Sequence, residues 1–310
     1  MTNAVQARAV ADFGAEIRTL QTPLSETEMV QALCDYDVVM PTLGDLFSAR
    51  VFGQVPEPRC RLLANFGVGV NHIDVLAAQQ VGITVTNTPG AVTDATADIA
   101  MTLLLMTARR AGEGERLVRA GEWQGWHPTQ MLGQHVSGKR VGIVGMGRIG
   151  QAIGRRCHFG FGMSVGYVAR SDKDLDFVAE RAPDLQTLAR DVDVLVVAVP
   201  GGAETFHLIS AQVLAAMQPH AILINIARGE VVDESALIQS VQSGQIAGAG
   251  LDVYEQEPHV PEALRALENV TLLPHLGTAT EEVRTDMGHM ALDNIAAHLA
   301  GRPVPNLVEP

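Results

Sequence analysis

Three side chains in the last third of the sequence have the types that proton transfer and carboxylate binding require. Arg228 stands in "INIARGEVVDESAL", Glu257 in "GLDVYEQEP" and His275 in "LLPHLGTAT". A guanidinium presents a rigid fork of donors that matches a carboxylate. A histidine beside a glutamate is a proton donor whose cationic form the carboxylate stabilises. Asp252, in the same stretch as Glu257, adds a further acid. Taken singly, these could be a surface arginine, two solvated acids and a loop histidine. Their positions argue for more: Arg228 follows the apolar run 221–226, Asp252 closes the run 246–253, and His275 directly follows the run 270–274. In an open parallel sheet, ligands bind beyond the carboxyl ends of the strands, so all of them would face one crevice.

A second motif points to what else that crevice would hold. "GMGRIG" spaces Gly145, Gly147 and Gly150 as GxGxxG, with Arg148 and Ile149 between the last two. The pattern alone is weak, because glycines are common. Here it follows the strand-like "RVGIVG" (140–145) and opens the helical "RIGQAIGRRC", the context a dinucleotide site requires. The first glycine permits a tight turn, the second lets backbone approach a pyrophosphate, and the third lets helix pack on strand. The helix N-terminus offers N–H groups and the positive end of its dipole to phosphate. The competing reading is a glycine-rich turn with no ligand. One strand further on, in "VGYVARSD" (165–172), the strand 165–168 runs into Ala169, Arg170 and Ser171, where many nucleotide-binding chains carry an acid.

The elements that must position these residues alternate along the chain. "YDVVM" (36–40), "RLLANF" (61–66) and "ITVTN" (83–87) read as strands separated by helix-length segments. A second series follows: "RVGIVG" (140–145), "MSVGYV" (163–168), "DVLVVAV" (193–199), "AILINI" (221–226), "IAGAGLDV" (246–253) and "VTLLP" (270–274). Short apolar runs joined by helical crossovers indicate parallel sheets covered on both faces. Two series predict two doubly wound α/β domains. "TDATADIAMTLLLMTARR" (93–110) reads as a capped, mostly apolar helix that connects them. The final helical stretch, 281–301, either returns to the first domain or closes the second.

Composition narrows the class. The 310 residues are 47% hydrophobic, enough for sizeable cores. The longest apolar stretches, such as "LLLM" (103–106), fall far short of the roughly 20 residues of a membrane span. A net charge of −13 with no Lys/Arg run longer than two speaks against nucleic acid. The N-terminus shows no secretory pattern, and three cysteines without a CxxC suit reduced thiols, so a cytoplasmic location is expected. Ten histidines without ligand spacing suggest no metal.

Together with "NFGVGVNHID" (65–74) and "TNTPGAVTDATADIAM" (86–101), these motifs resemble the D-2-hydroxyacid dehydrogenase family, in order, from about residue 60 to 300. Within it, the chain is most similar to the glyoxylate/hydroxypyruvate reductases. The resemblance implies a flavodoxin-like substrate-binding domain, 1–93 plus 283–310, and a larger Rossmann dinucleotide-binding domain, 94–282. It implies reduction of small 2-oxo acids by hydride transfer to C2, with His275 as proton donor, Glu257 holding its imidazole and Arg228 on the substrate carboxylate. Asp252 resembles the residue at the nicotinamide end, while Thr96, Pro200, Thr205, Ala227 and Gly277 match positions lining the cofactor. Val68 and Gly69 match backbone that receives the substrate carboxylate. Leu43 and Trp126 resemble side chains near the substrate, the latter reaching from a partner subunit of a homodimer. "PGGAETF" (200–206) departs from the family, with Gly201 and Gly202 where bulkier residues are usual.

In relatives that use NADH, an acid after the second strand binds the adenosine ribose. That carboxylate would repel a 2′-phosphate, whereas arginine accommodates one. Ala169, Arg170 and Ser171 therefore predict NADPH, with NADH as the weaker alternative. A competing arrangement has Arg170 stacked on adenine and Asp172 or Asp174 serving the ribose. Three other readings belong to this fold. A cofactor-sensing corepressor retains the same triad, a dehydrogenase for a larger 2-oxo acid would use NAD, and phosphite oxidation is more remote. Formate oxidation is disfavoured, since those relatives pair the histidine with glutamine rather than Glu257.

Overall fold

The computed structural model describes residues 1–20 and 22–309. The chain divides into two units, one formed by Met1–Val92 with the segment from Ala279 onward, the other by Thr93–Thr278. Among the described residues, no helix is long and apolar enough to cross a membrane.

The first unit is built on three parallel strands, β1 (Val38–Val39), β2 (Leu62–Ala64) and β3 (Thr84–Thr86), paired in that order. Side chains alternate across a strand, and β2 uses both faces. Leu63 enters a core with Met29, Leu33, Phe47 and Phe52. Leu62 and Ala64 enter another with Val5, Ala9, Leu292 and Ile295. The helix Glu281–Leu299 thus lies in the first unit. A Cβ on its Gly288 would come within 2.4 Å of the Val5 side chain, which explains the small residue there. Buried Asn294 on this helix donates to the Asn87 carbonyl and accepts from the Asn306 N–H, both at 3.2 Å.

The second unit carries seven parallel strands: β4 (Arg140–Val144), β5 (Ser164–Val168), β6 (Ala179–Arg181), β7 (Val194–Val197), β8 (Ile222–Asn225), β9 (Gly248–Leu251) and β10 (Val270–Leu272). Their order is β10-β9-β8-β7-β4-β5-β6. The order reverses between β4 and β7, a topological switch point of the kind at which such sheets bind ligands. Both faces are covered, and period-2 alternation divides the apolar runs between two cores. Val194 and Val196 of β7 pack with Leu103, Leu104 and Ile143. Leu195 and Val197 pack with Leu188, Leu214 and Leu237. Burial on both faces is why these strands read as continuous apolar stretches.

The second unit has one strand that the apolar runs do not announce. β6, "AER", is the sheet edge, and its two charged residues are exposed. An edge strand gains from charge because charge blocks pairing with other chains.

Candidate active site

The parallel order brings the carboxyl ends of β8, β9 and β10 to one side of the second unit, and each is followed by a loop under tight backbone control. After β8, the buried Asn225 side chain accepts from the Ala227 N–H and donates to the Arg228 carbonyl, both at 3.0 Å. Gly229 follows, pressed against the loop after β9: a Cβ there would lie 1.8 Å from the Tyr254 carbonyl carbon. Only glycine permits that approach. It sets the Arg228 loop directly on the segment that carries Glu257.

The loop after β10 is held by Asp252, which is 1% exposed. The Leu276 N–H donates to its Oδ1 at 2.7 Å and the Gly277 N–H to its Oδ2 at 2.8 Å. The His275 N–H donates to its carbonyl at 2.9 Å. These bonds hold His275 at φ 54, a left-handed backbone uncommon outside glycine. Burial raises the Asp252 carboxyl above its usual range, against the opposing pull of the two N–H donors. Thr96 completes the clamp by donating to the Gly277 carbonyl at 3.1 Å.

So positioned, His275 Nδ1 lies 2.7 Å from Glu257 Oε2, while Glu257 Oε1 accepts from the Tyr254 N–H at 3.1 Å. Burial alone would raise the Glu257 carboxyl. The His275 hydrogen bond and charge, the Tyr254 N–H and the Arg228 cation together hold it below the usual carboxylate range. Among the described residues, His275 Nε2 makes no hydrogen bond, and the side chain keeps 27% of its surface open. Arg228 makes one side-chain hydrogen bond, to the Ala227 carbonyl at 2.6 Å, and no ion pair among the described residues. Burial lowers its pKa, and the fields of Glu257 and Glu230 only partly offset this. A desolvated cation with spare donors, acting on the glutamate that holds a histidine with one free ring nitrogen, suits an anion that also accepts a proton.

The glycine motif fits a dinucleotide. Gly145 adopts φ +98, and a Cβ there would meet the Ala198 carbonyl oxygen at 2.7 Å. At Gly150 a Cβ would lie 2.1 Å from the Gly145 carbonyl oxygen, so the helix Arg148–Arg155 packs directly on the turn. At Gly147 a Cβ would meet nothing within 4 Å. The first and third glycines satisfy the fold, while the second leaves open space above the backbone. Gly147 is also the N-cap and supplies no side-chain cap, so the first-turn N–H groups stay available to phosphate.

The remaining candidates separate by unit. In the second unit, Arg170 and Ser171 are exposed after β5, and Lys173 Nζ donates to Ser171 Oγ at 3.0 Å. Asp172 is engaged by Arg181 of β6 at 2.7 Å, and Arg181 also donates to the Ala169 carbonyl at 2.9 Å. Thr96, Ala227 and Gly277 are buried, Pro200 is exposed, and Thr205 spends its hydroxyl on the Pro200 carbonyl at 2.7 Å. Trp126 is 80% exposed. In the first unit, Asn65 donates to the Gly67 and Gly69 carbonyls and Asn87 to that of Val68. With those carbonyls tied down, the Val68 and Gly69 N–H groups make no hydrogen bond among the described residues. Leu43 is exposed, and its Cδ2 would lie 3.6 Å from a Cβ on Gly67. The supporting asparagines, Asn65 and Asn225, were absent from the sequence candidates. Their signal is a lone asparagine at the end of an apolar strand, in "LLANF" and "LINIARG". No cluster of three or more potential metal ligands occurs among the described residues.

The second and third glycines make a paired test. Gly150→Ala should lower the melting temperature by several degrees, since overpacking against backbone costs roughly 1–3 kcal/mol. Gly147→Ala should leave the melting temperature unchanged and weaken dinucleotide binding. Equal melting temperatures for the two variants would contradict this division of roles.

Residues 101–277 match the family model of the D-isomer specific 2-hydroxyacid dehydrogenase NAD binding domain. The chain is 43% identical over 303 residues to the glyoxylate reductase of Thermococcus onnurineus, covering 96% of this chain and 90% of that one. It is also 43% identical over 293 residues to the glyoxylate/hydroxypyruvate reductase B of Serratia proteamaculans, covering 93% and 89%. Among solved structures, it is similar to the NADPH-dependent glyoxylate/hydroxypyruvate reductase of Sinorhizobium meliloti in complex with NADP and malonate. That similarity has a TM-score of 0.83 at 38% identity and covers 92% of this chain and 87% of that one. A seven-stranded Rossmann unit with this motif and these relatives makes the chain a member of the D-isomer specific 2-hydroxyacid dehydrogenase family.

Proposed function

We propose that the protein reduces small 2-oxo acids, glyoxylate and hydroxypyruvate first, to their D-2-hydroxy acids with NADPH. The observation that carries this reading is the pairing of Glu257 with His275 Nδ1, which leaves Nε2 free, together with an Arg228 guanidinium that forms no ion pair among the described residues. Arg228 binds the substrate carboxylate and stabilises charge developing on the carbonyl oxygen. His275 Nε2 delivers the proton to that oxygen, and Glu257 orients the ring and stabilises its cationic form. In the first unit, the Val68 and Gly69 N–H groups are donors suited to a carboxylate, with Leu43 nearby in the same unit. Gly145, Gly147, Arg148, Ile149 and Gly150 would hold the pyrophosphate, and Arg170 and Ser171 the 2′-phosphate. Thr96, Pro200, Thr205, Ala227, Asp252 and Gly277 form the remaining walls of the cofactor site, Asp252 acting through the backbone it clamps. A bound nicotinamide supplies the hydride for the substrate carbonyl carbon.

The engagement of Asp172 by Arg181 favours the NADPH reading, because that acid is not left for ribose hydroxyls. The names of the relatives, one of them NADPH-dependent, support the same cofactor and substrate class. Parallel absorbance assays with glyoxylate test both parts. NADPH should be consumed faster than NADH, and the rate should fall toward the alkaline end between about pH 6 and 9 as the donor proton is lost. In Glu257→Gln, the ring loses its anionic partner, and turnover should fall about tenfold or more. Faster NADH oxidation would contradict the reading of Arg170, and a pH-independent rate would contradict the proton donor.

A tryptophan exposed to 80%, Trp126, is also part of this reading: it suits a homodimer in which a second copy covers the residue. Sedimentation equilibrium should then return twice the chain mass, and a monomer at micromolar concentration would contradict it.

A further inference from the structure

Arg170 has a partner that its position in the sequence does not suggest. Its Nη1 lies 3.7 Å from Oε2 of Glu204, in the "PGGAETF" loop after β7. The two side chains are 91% and 87% exposed, so packing does not force them together; the loop backbone only brings Glu204 within reach. That loop is firmly set. Gly202 adopts φ +125, a left-handed backbone that favours glycine. Its N–H donates to Glu230 Oε1 at 2.9 Å, and its carbonyl accepts from the Thr205 N–H at 3.0 Å. The Thr205 hydroxyl donates to the Pro200 carbonyl at 2.7 Å. The short turn Ala203–Thr205 therefore presents Glu204 toward the end of β5. The neighbouring cations are occupied differently, Arg181 by Asp172 and the Ala169 carbonyl, Lys173 by Ser171. Among the described residues, Glu204 is the one carboxylate paired with Arg170.

We propose that Glu204 is a cofactor-selectivity residue. Its carboxylate competes with the 2′-phosphate of NADPH for the Arg170 guanidinium and so lowers the preference for NADPH over NADH. This rests on the NADPH reading of Arg170 given above. A phosphate monoester carries between one and two negative charges near neutral pH. Seating it on Arg170 means displacing Glu204 or sharing the cation with it, at a cost in like-charge repulsion. NADH has no 2′-phosphate and meets no such competition. An exposed ion pair is weak and screened by salt, so removing Glu204 is worth about two- to fivefold in affinity.

Calorimetric titration of the full chain with NADP+ and NAD+ tests this without turnover. Glu204→Gln should tighten NADP+ by about two- to fivefold and leave NAD+ unchanged within about twofold. Glu204→Lys should tighten NADP+ further. The gain should shrink at high salt and vanish when Arg170→Ala is combined with Glu204→Gln. The proposal is overturned if Glu204→Gln changes both affinities equally or neither, or if the gain survives without Arg170. If Arg170→Ala alone leaves NADP+ affinity unchanged, the NADPH reading fails and the proposal with it. If Arg170→Ala weakens NADP+ but Glu204→Gln gives no gain, the Glu204 proposal alone falls.

Discussion

The Asp252 carboxylate, buried at the end of β9, is the constraint on which the candidate site depends. Its two oxygens accept the N–H groups of Leu276 and Gly277, and its carbonyl accepts that of His275. Three consecutive backbone donors converge on one residue, and the left-handed turn at His275 follows from that convergence. A buried carboxylate is costly unless hydrogen-bonded, and here the bonds that stabilise it also aim the histidine. The strain of a non-glycine residue at positive φ is thus held at the residue proposed to move the proton.

Around that clamp, the parallel sheet does the gathering. Three adjacent strands end on one side, and their loops carry Arg228, Glu257 and His275 in turn. The backbone contact between Gly229 and Tyr254 joins the first two loops. The Glu257–His275 hydrogen bond joins the second and third. Arg228 forms no ion pair among the described residues while sitting in the fields of Glu257 and Glu230. The glycine turn at the end of β4 serves the same design from the other side of the switch point, with backbone where a side chain would fill the space above the helix N-terminus.

Much of this was legible in the residues. Strands such as "VLVV" and "ILIN" are buried on both faces, so they stand out as apolar runs, and GxGxxG between strand and helix points to its role. Arg228, Glu257 and His275 are visible because each follows such a run. β6 was not legible, because an edge strand of Ala, Glu and Arg has no apolar pattern. Nor were the supports, since Asn225, Gly229 and the clamp by Asp252 act through contacts between residues distant in sequence. Asp252 illustrates the limit well. It stands out as an acid at a strand end, but its carboxylate is spent on the backbone of the next loop. "PGGAETF" shows the reverse case, a departure from pattern in which Gly202 adopts φ +125, a backbone that favours glycine.

The central claim is that His275 supplies the proton during reduction of a 2-oxo acid. The most direct measurement is the turnover number of His275→Gln with glyoxylate and NADPH, alongside NADPH affinity measured by calorimetry. The account predicts a fall in turnover of about a hundredfold or more with NADPH affinity essentially unchanged. Turnover retained within about tenfold of the unaltered protein would contradict it.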